Sequence, residues 1–282
     1  MENISKERKN SGKEWGTLGY MVGEIWDGGG DIINNEGYSQ NGLRSCFDFP
    51  MRYSLVQVLA TQEKLGESHG MNQPVSKLNN TFNSVNDNYP SYAQPNMFMS
   101  NHDLVRFGDL IQRAKKNEYW ERHKLAISFL TAYTGPITLY YGDEYGDEVK
   151  GFVNEKDLGY YDDHVSRTSG RINNFNELEI DLINYTKNLM KIRKNNSALW
   201  NGERKNIYAE KYLYADLKID GNNKIIYVMN VSNEKSERLN QKISNISINS
   251  LTDLETNEVI TVKENTIDIT IEPMKAKFFL IN

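Results

Sequence analysis

Cysteine is almost missing from this sequence. Cys46 is the only one in 282 residues, so no intramolecular disulfide can form and a zinc site built on cysteines is not expected. No apolar run approaches the ~20 residues that a membrane-spanning helix needs. No long basic stretch occurs either, and the formal net charge is -5, which argues against nucleic acid or an anionic membrane as a partner. The opening stretch, MENISKERKNSGKEW, is polar and charged and does not read as a signal peptide. The compartment stays open on these grounds. Internal repeats and low-complexity tracts are absent. The Gly28-Gly29-Gly30 run has no Gly-Lys-Ser/Thr after it, so it is not a phosphate loop.

What is present is globular in kind. Hydrophobic residues make up 38% and charged residues 25%, a balance that can bury a core. The first part, to about residue 200, alternates short apolar runs with helical spacing. Strands are expected at 17–25, ending at Glu24, and at 44–49, 97–101 and 137–141. Helices are expected from Pro50 to about Gly66, over 118–134, and over 176–195. Strands alternating with helices predict parallel pairing with helices outside, and polar residues gather just past the C-terminal strand ends. From residue 203 on, the pattern changes to strands and turns. The runs 212–219 and 224–231 flank Asp220-Gly221-Asn222, a hairpin signal, and the chain closes with strand-like 266–271 and 275–281. The fold class read from this is α/β, with an α/β part at 1–202 and an antiparallel β-sandwich at 203–282.

Four ordered pieces then stand out: Gly-Glu-Ile-Trp at 23–26, Asn-His-Asp at 101–103, Gly-Pro with Leu-Tyr-Tyr-Gly-Asp-Glu at 135–144, and Lys-Ile-Arg-Lys with Ala-Leu-Trp-Asn-Gly-Glu at 191–203. Together they resemble the α-amylase superfamily, the family 13 glycoside hydrolases. The resemblance implies a partial (β/α) barrel, strands five to eight with their helices, followed by the C-terminal β domain. It implies that Glu24 is the general acid/base, that Asp103 is the carboxylate supporting the transition state, and that His102 donates a hydrogen bond to a hydroxyl of the same sugar. Trp26 is equally consistent with stacking on a sugar and with packing. Arg106 is expected in a structural ion pair, and Asp143 and Glu144 in closing the rim. The implied substrate is an α-glucan oligosaccharide of the starch type, cleaved at α-1,4 bonds. No cofactor is expected in this chain, although calcium belongs to complete members. The acidic stretch Asp147, Glu148, Glu155, Asp157, Asp162, Asp163 and His164 matches no calcium loop and reads as solvated.

One piece of the pattern is not found. The family's nucleophile is an Asp upstream of the acid/base, and residues 1–23 contain no Asp at all. Four strands cannot close an eight-stranded barrel, so the expectation is a sheet with two open edges that needs a missing N-terminal half. Two other readings share these residues: a non-catalytic carbohydrate-binding or assembly module on the same scaffold, and a piece of an α-glucosidase or transglycosylase. The compartment is left open, and an extracellular or cell-surface place is compatible with the complete protein.

Overall fold

The computed structural model describes residues 2–13, 19–26, 29–39, 42–61, 73–85, 88–149 and 166–282. Four short segments run parallel, each hydrogen-bonded to the next in chain order. Gly23 bridges Cys46, and Phe47 bridges Asn96. Strand β1 (Met97–Phe98) then pairs in parallel with β2 (Ile137–Thr138), Met97 opposite Ile137 and Phe98 opposite Thr138. The ladder is carried by Phe47 N donating to Gly23 O at 3.0 Å, Asn96 N to Cys46 O at 2.8 Å and Met97 N to Pro136 O at 3.1 Å. These segments are shorter than the strands the sequence predicts at 17–25, 44–49, 97–101 and 137–141. Residues 17 and 18 lie outside the described part, as do residues 62–66 of the expected helix end.

The third segment is buried, the second mixes buried Ser45 and Cys46 with exposed Arg44 and half-buried Phe47, and the two outer ones are more open. Residues 96–101 are all buried, but Tyr20 is 60% exposed and Met21 39% exposed on the first segment. Residues 136–140 of the last segment are half-buried throughout. Apolar side chains on an edge strand with partners on one side leave backbone groups and greasy surface open together.

Helices alternate with these segments along the chain. Helix α1 (Glu2–Asn10) is wholly unburied, and α2 (Gly30–Ile32) runs into a π-helix at Ile33–Tyr38. Helix α3 (Phe49–Leu59) begins on Asp48, whose Oδ1 accepts from Met51 N at 3.1 Å, with Pro50 in the first turn where no N–H is needed. Helices α4 (Ser76–Ser84) and α5 (Phe107–Lys115) are additions to the sequence reading. Helices α6 (Tyr119–Ala132) and α7 (Glu177–Asn195) fall where the 3.6-residue spacing puts them. The start of α7 is a capping box: Asn176 Oδ1 accepts from Leu178 N and Glu179 N, and Glu179 Oε2 accepts from Asn176 N. A single turn, α8 (Ser197–Trp200), leads into the last part.

That part is antiparallel. Strands β3 (Glu203–Glu210), β4 (Leu213–Asp220), β5 (Asn223–Asn230), β6 (Glu237–Lys242), β7 (Ser250–Asp253), β8 (Val259–Thr261), β9 (Thr266–Ile271) and β10 (Lys275–Ile281) form two sheets. Six of them run in the order β3-β4-β5-β10-β7-β8, and β6 pairs with β9. The β4–β5 turn sits where Asp-Gly-Asn predicts it, with Gly221 at φ 55°, a left-handed backbone that favours glycine. One face of the large sheet packs Leu213, Leu217, Ile226 and Val228 against Leu239, Ile267 and Ile269 of the smaller one. The other face places Tyr214, Tyr227 and Phe278 in one core with Leu125, Phe129 and Leu130 of α6. Arg204 ties the layers together: it lies 3.9 Å above the Phe82 ring of α4, donates to Asn79 Oδ1 at 2.6 Å and pairs with Asp216 of β4 at 2.9 Å.

His123 in α6 is a buried cost. It is fully buried, neither ring nitrogen has a hydrogen-bond partner among the described residues, and Phe107 and Tyr119 meet its ring edge-on at 5.8 and 4.8 Å. Burial drives its pKa down to about 3. The folded state therefore holds it neutral, and the stability this represents is complete above the unfolded value near 6.5 and is lost as pH falls toward 3. At pH 5 the loss is about 2 kcal/mol. His123→Phe is expected to remove it, so the variant should gain stability over the parent in urea unfolding at pH 5 and show a much smaller gain at pH 8. An equal difference at both pH values would contradict this.

Candidate active site

The candidate residues converge from the ends of the first and third parallel segments. Glu24 directly follows the Gly23 bridge, and Asn101, His102 and Asp103 follow β1 by three to five residues. Asn101 is 6% exposed and uses both ends of its amide. Its Nδ2 donates to Glu24 Oε2 at 3.3 Å, and its Oδ1 accepts from Asp103 N at 2.9 Å. His102 Nε2 lies 3.2 Å from Asp103 Oδ2. Three of the predicted residues, Glu24, His102 and Asp103, are thus brought into one polar cluster.

The electrostatics of Glu24 follow from this cluster. Its carboxyl is held above the ordinary carboxylate range, first by partial loss of hydration and then by the negative charge of Asp103. His102 and the Asn101 N–H act in the opposite sense. A raised value keeps the proton on Glu24 to higher pH than an isolated glutamate would.

Arg167 joins the cluster from beyond β2. Its Nη2 donates to Asp103 Oδ1 at 3.0 Å and its Nε to His102 O at 2.9 Å. Both carboxylate oxygens of Asp103 thus face a cationic or hydrogen-bonding group. Trp26 stands at the same rim. It stacks on Phe49 at 5.7 Å, donates from Nε1 to Tyr53 OH at 3.0 Å, and stays 46% exposed. It packs and also presents open ring surface.

Behind the cluster sits a buried polar layer. Arg106 is fully buried, pairs with Asp147 at 3.4 Å, donates to Tyr141 O at 2.8 Å, and has the rings of Tyr140 and Tyr141 over its guanidinium. That is the structural ion pair expected of it. Gly142 is required there: at φ 97° a Cβ would stand 2.7 Å from Arg106 Nη1. Asp143 accepts from Ser100 Oγ at 2.8 Å, and burial raises its carboxyl to about 7. Glu144 Oε2 accepts from Gly142 N at 2.7 Å, so both acidic residues of the Gly-Asp-Glu run are engaged internally. Among the described residues, no group of three or more His, Cys, Asp or Glu is placed to hold a metal ion. Glu155, Asp157, Asp162, Asp163 and His164 lie outside the described residues.

Sequence reasoning missed two contributors. Asn101 was read only as part of its motif, and its amide partner Glu24 is 77 positions away. Arg167 meets Asp103 across 64 positions of chain, a contact no local pattern displays.

Parallel segments carrying carboxyl groups past their C-terminal ends, with an antiparallel region following, define an α/β fold with its candidate site at the C-terminal strand ends. The chain belongs to the α-amylase family: the model of the alpha amylase catalytic domain matches residues 4–241. A crystal structure of AmyP, a Glu-to-Gln variant in complex with maltotriose, is 41% identical and superimposes with a TM-score of 0.84 over 93% of this chain and 55% of that one. AmyP in complex with maltose aligns equally well, at 41% identity and TM-score 0.84. The α-amylase from Geobacillus thermoleovorans, crystallised with acarbose, shares the fold at TM-score 0.77 and 19% identity, over 100% of this chain and 56% of that one. In sequence, the chain is 26% identical over 265 residues to the β/α-amylase of Paenibacillus polymyxa, covering 92% of this chain and 20% of that protein. The chain thus spans about half the length of the AmyP structures and a fifth of the Paenibacillus enzyme.

Proposed function

We propose that this chain supplies the acid/base side of a retaining α-glucan glycoside hydrolase of the α-amylase type, acting on α-1,4 bonds of starch-like oligosaccharides. Residues 1–202 are then the second half of a (β/α)8 barrel, and residues 203–282 are its C-terminal β-sandwich. The observation that carries the reading is the Glu24–Asn101–Asp103 cluster, in which a partly desolvated glutamate with a raised pKa faces a second carboxyl at the ends of parallel segments. The exposure of the first and last segments supports the half-barrel reading, since among the described residues each pairs on one side only.

The chemistry proceeds in two displacements. Protonated Glu24 gives its proton to the glycosidic oxygen as the C–O bond breaks, while an aspartate on a segment outside this chain attacks the anomeric carbon. Glu24, now a carboxylate, takes a proton from water as that water displaces the aspartate. Asp103 accepts hydrogen bonds from hydroxyls of the reacting sugar, His102 donates to one, and Trp26 offers a ring face to a neighbouring sugar.

The purified 282-residue chain is expected to leave maltotriose uncleaved above the buffer background. Coexpression with the N-terminal segment of an AmyP-type relative, carrying the nucleophilic aspartate, is expected to restore release of glucose and maltose. Robust turnover by the chain alone would overturn the proposal.

A further inference from the structure

Asn101 makes a connection that the backbone does not. The first and third parallel segments are separated by the second, Arg44–Phe47, so Glu24 and β1 share no ladder. The Asn101 side chain spans that gap. Its orientation is set by its own partners. A backbone N–H can only donate, so the amide oxygen must face Asp103 N and the NH₂ must face Glu24. Its base is fixed as well: the preceding Ser100 is buried, donates from Oγ to Asp143 and accepts there from Phe107 N at 3.0 Å.

We propose that Asn101 is a positioning residue for the acid/base Glu24: its NH₂ holds Oε2 as an acceptor, so the exchangeable proton resides on Oε1. An oxygen that accepts an N–H bond is the carbonyl-type oxygen of a neutral carboxyl, and the hydroxyl is then the other one. The same N–H stabilises the carboxylate more than the acid, because a hydrogen bond to a charged acceptor is the stronger one. Asn101 therefore moderates the rise that lost hydration and Asp103 impose on Glu24. The groups facing Glu24 are Asp103 and His102, with Arg167 bound to the far oxygen of Asp103. This inference deepens the acid/base reading of Glu24 and rests on it.

The test reads protonation rather than turnover. Carboxyl ¹³C labelling of glutamate in the 282-residue chain, with Glu24→Gln identifying the Glu24 signal, gives its titration directly. Asn101→Ala is expected to raise the Glu24 midpoint by about one pH unit. Asn101→Asp keeps an oxygen for Asp103 N and the side-chain shape, so it guards against a folding failure; it replaces the donor by a charge and is expected to raise the midpoint further. A Glu24 midpoint unmoved in both variants, with chemical-shift patterns elsewhere unchanged, would overturn the proposal. A missing activity in the complemented enzyme would instead count against the acid/base role, and leaves the titration result standing.

Discussion

Glu24→Gln, placed in the chain paired with a nucleophile-bearing segment, is expected to lower kcat/KM on maltotriose by about 10²–10⁴-fold, the usual contribution of a general acid/base. Glutamine keeps the shape and can still meet Asn101, but it has no proton to give to the glycosidic oxygen. The loss should depend on the leaving group. An α-maltosyl fluoride departs as fluoride and needs no proton, so its first step should lose far less. Its second step still lacks a base for water, so glycosyl-enzyme should accumulate and appear as a burst. Equal losses on maltotriose and on the fluoride would mean that Glu24 acts by position or charge and not by proton transfer.

Arg193→Ala is expected to cost about 3–5 kcal/mol of stability. Arg193 is 8% exposed in α7 and gathers carbonyls from the end of α6 and from α8. Its Nη1 donates to Thr131 O at 2.8 Å, Tyr133 O at 2.7 Å and Leu199 O at 3.0 Å, and its Nη2 donates to Gly135 O. Removing the guanidinium takes the donor away from the buried carbonyls of Thr131, Tyr133 and Leu199 at once. Burial lowers its pKa to about 10, so the charge persists at neutral pH. Chemical denaturation of the variant should show the loss, and Arg193→Lys should recover only part of it because an ammonium cannot reproduce the planar fork. A change below 1 kcal/mol in Arg193→Ala would contradict this role.

The residues that were legible in the sequence are those whose partners are local. The β4–β5 turn follows from Asp220-Gly221-Asn222 between two strand-like runs, and α7 follows from its apolar spacing. Helix α4 was missed because Ser76–Ser84 offers Leu78 and Phe82 among Ser, Asn and Thr, residues that favour turns as much as helices. Helix α5 was passed over because it starts so close to the Asn-His-Asp motif, though Phe107, Leu110 and Ile111 carry helical spacing. The ladders among the described parallel segments are short throughout, single bridges at Gly23–Cys46 and Phe47–Asn96 and two pairs between β1 and β2, and no local pattern in the sequence sets that length. In the site, Glu24, His102 and Asp103 were readable from motif order. Asn101 and Arg167 act through contacts 77 and 64 positions apart, and only the folded chain brings those together.

The central claim is that Glu24 is the acid/base and not the nucleophile. The anomeric configuration of the azide product formed by Glu24→Ala tests it most directly, with the complemented chain and α-maltosyl fluoride as substrate. With the carboxyl gone, azide can enter on the face where Glu24 stood and displace the enzyme-bound aspartate, giving net retention. Accelerated turnover with formation of the α-maltosyl azide is the predicted result. A β-maltosyl azide, formed by direct attack from the opposite face, would make Glu24 the nucleophile and contradict the account.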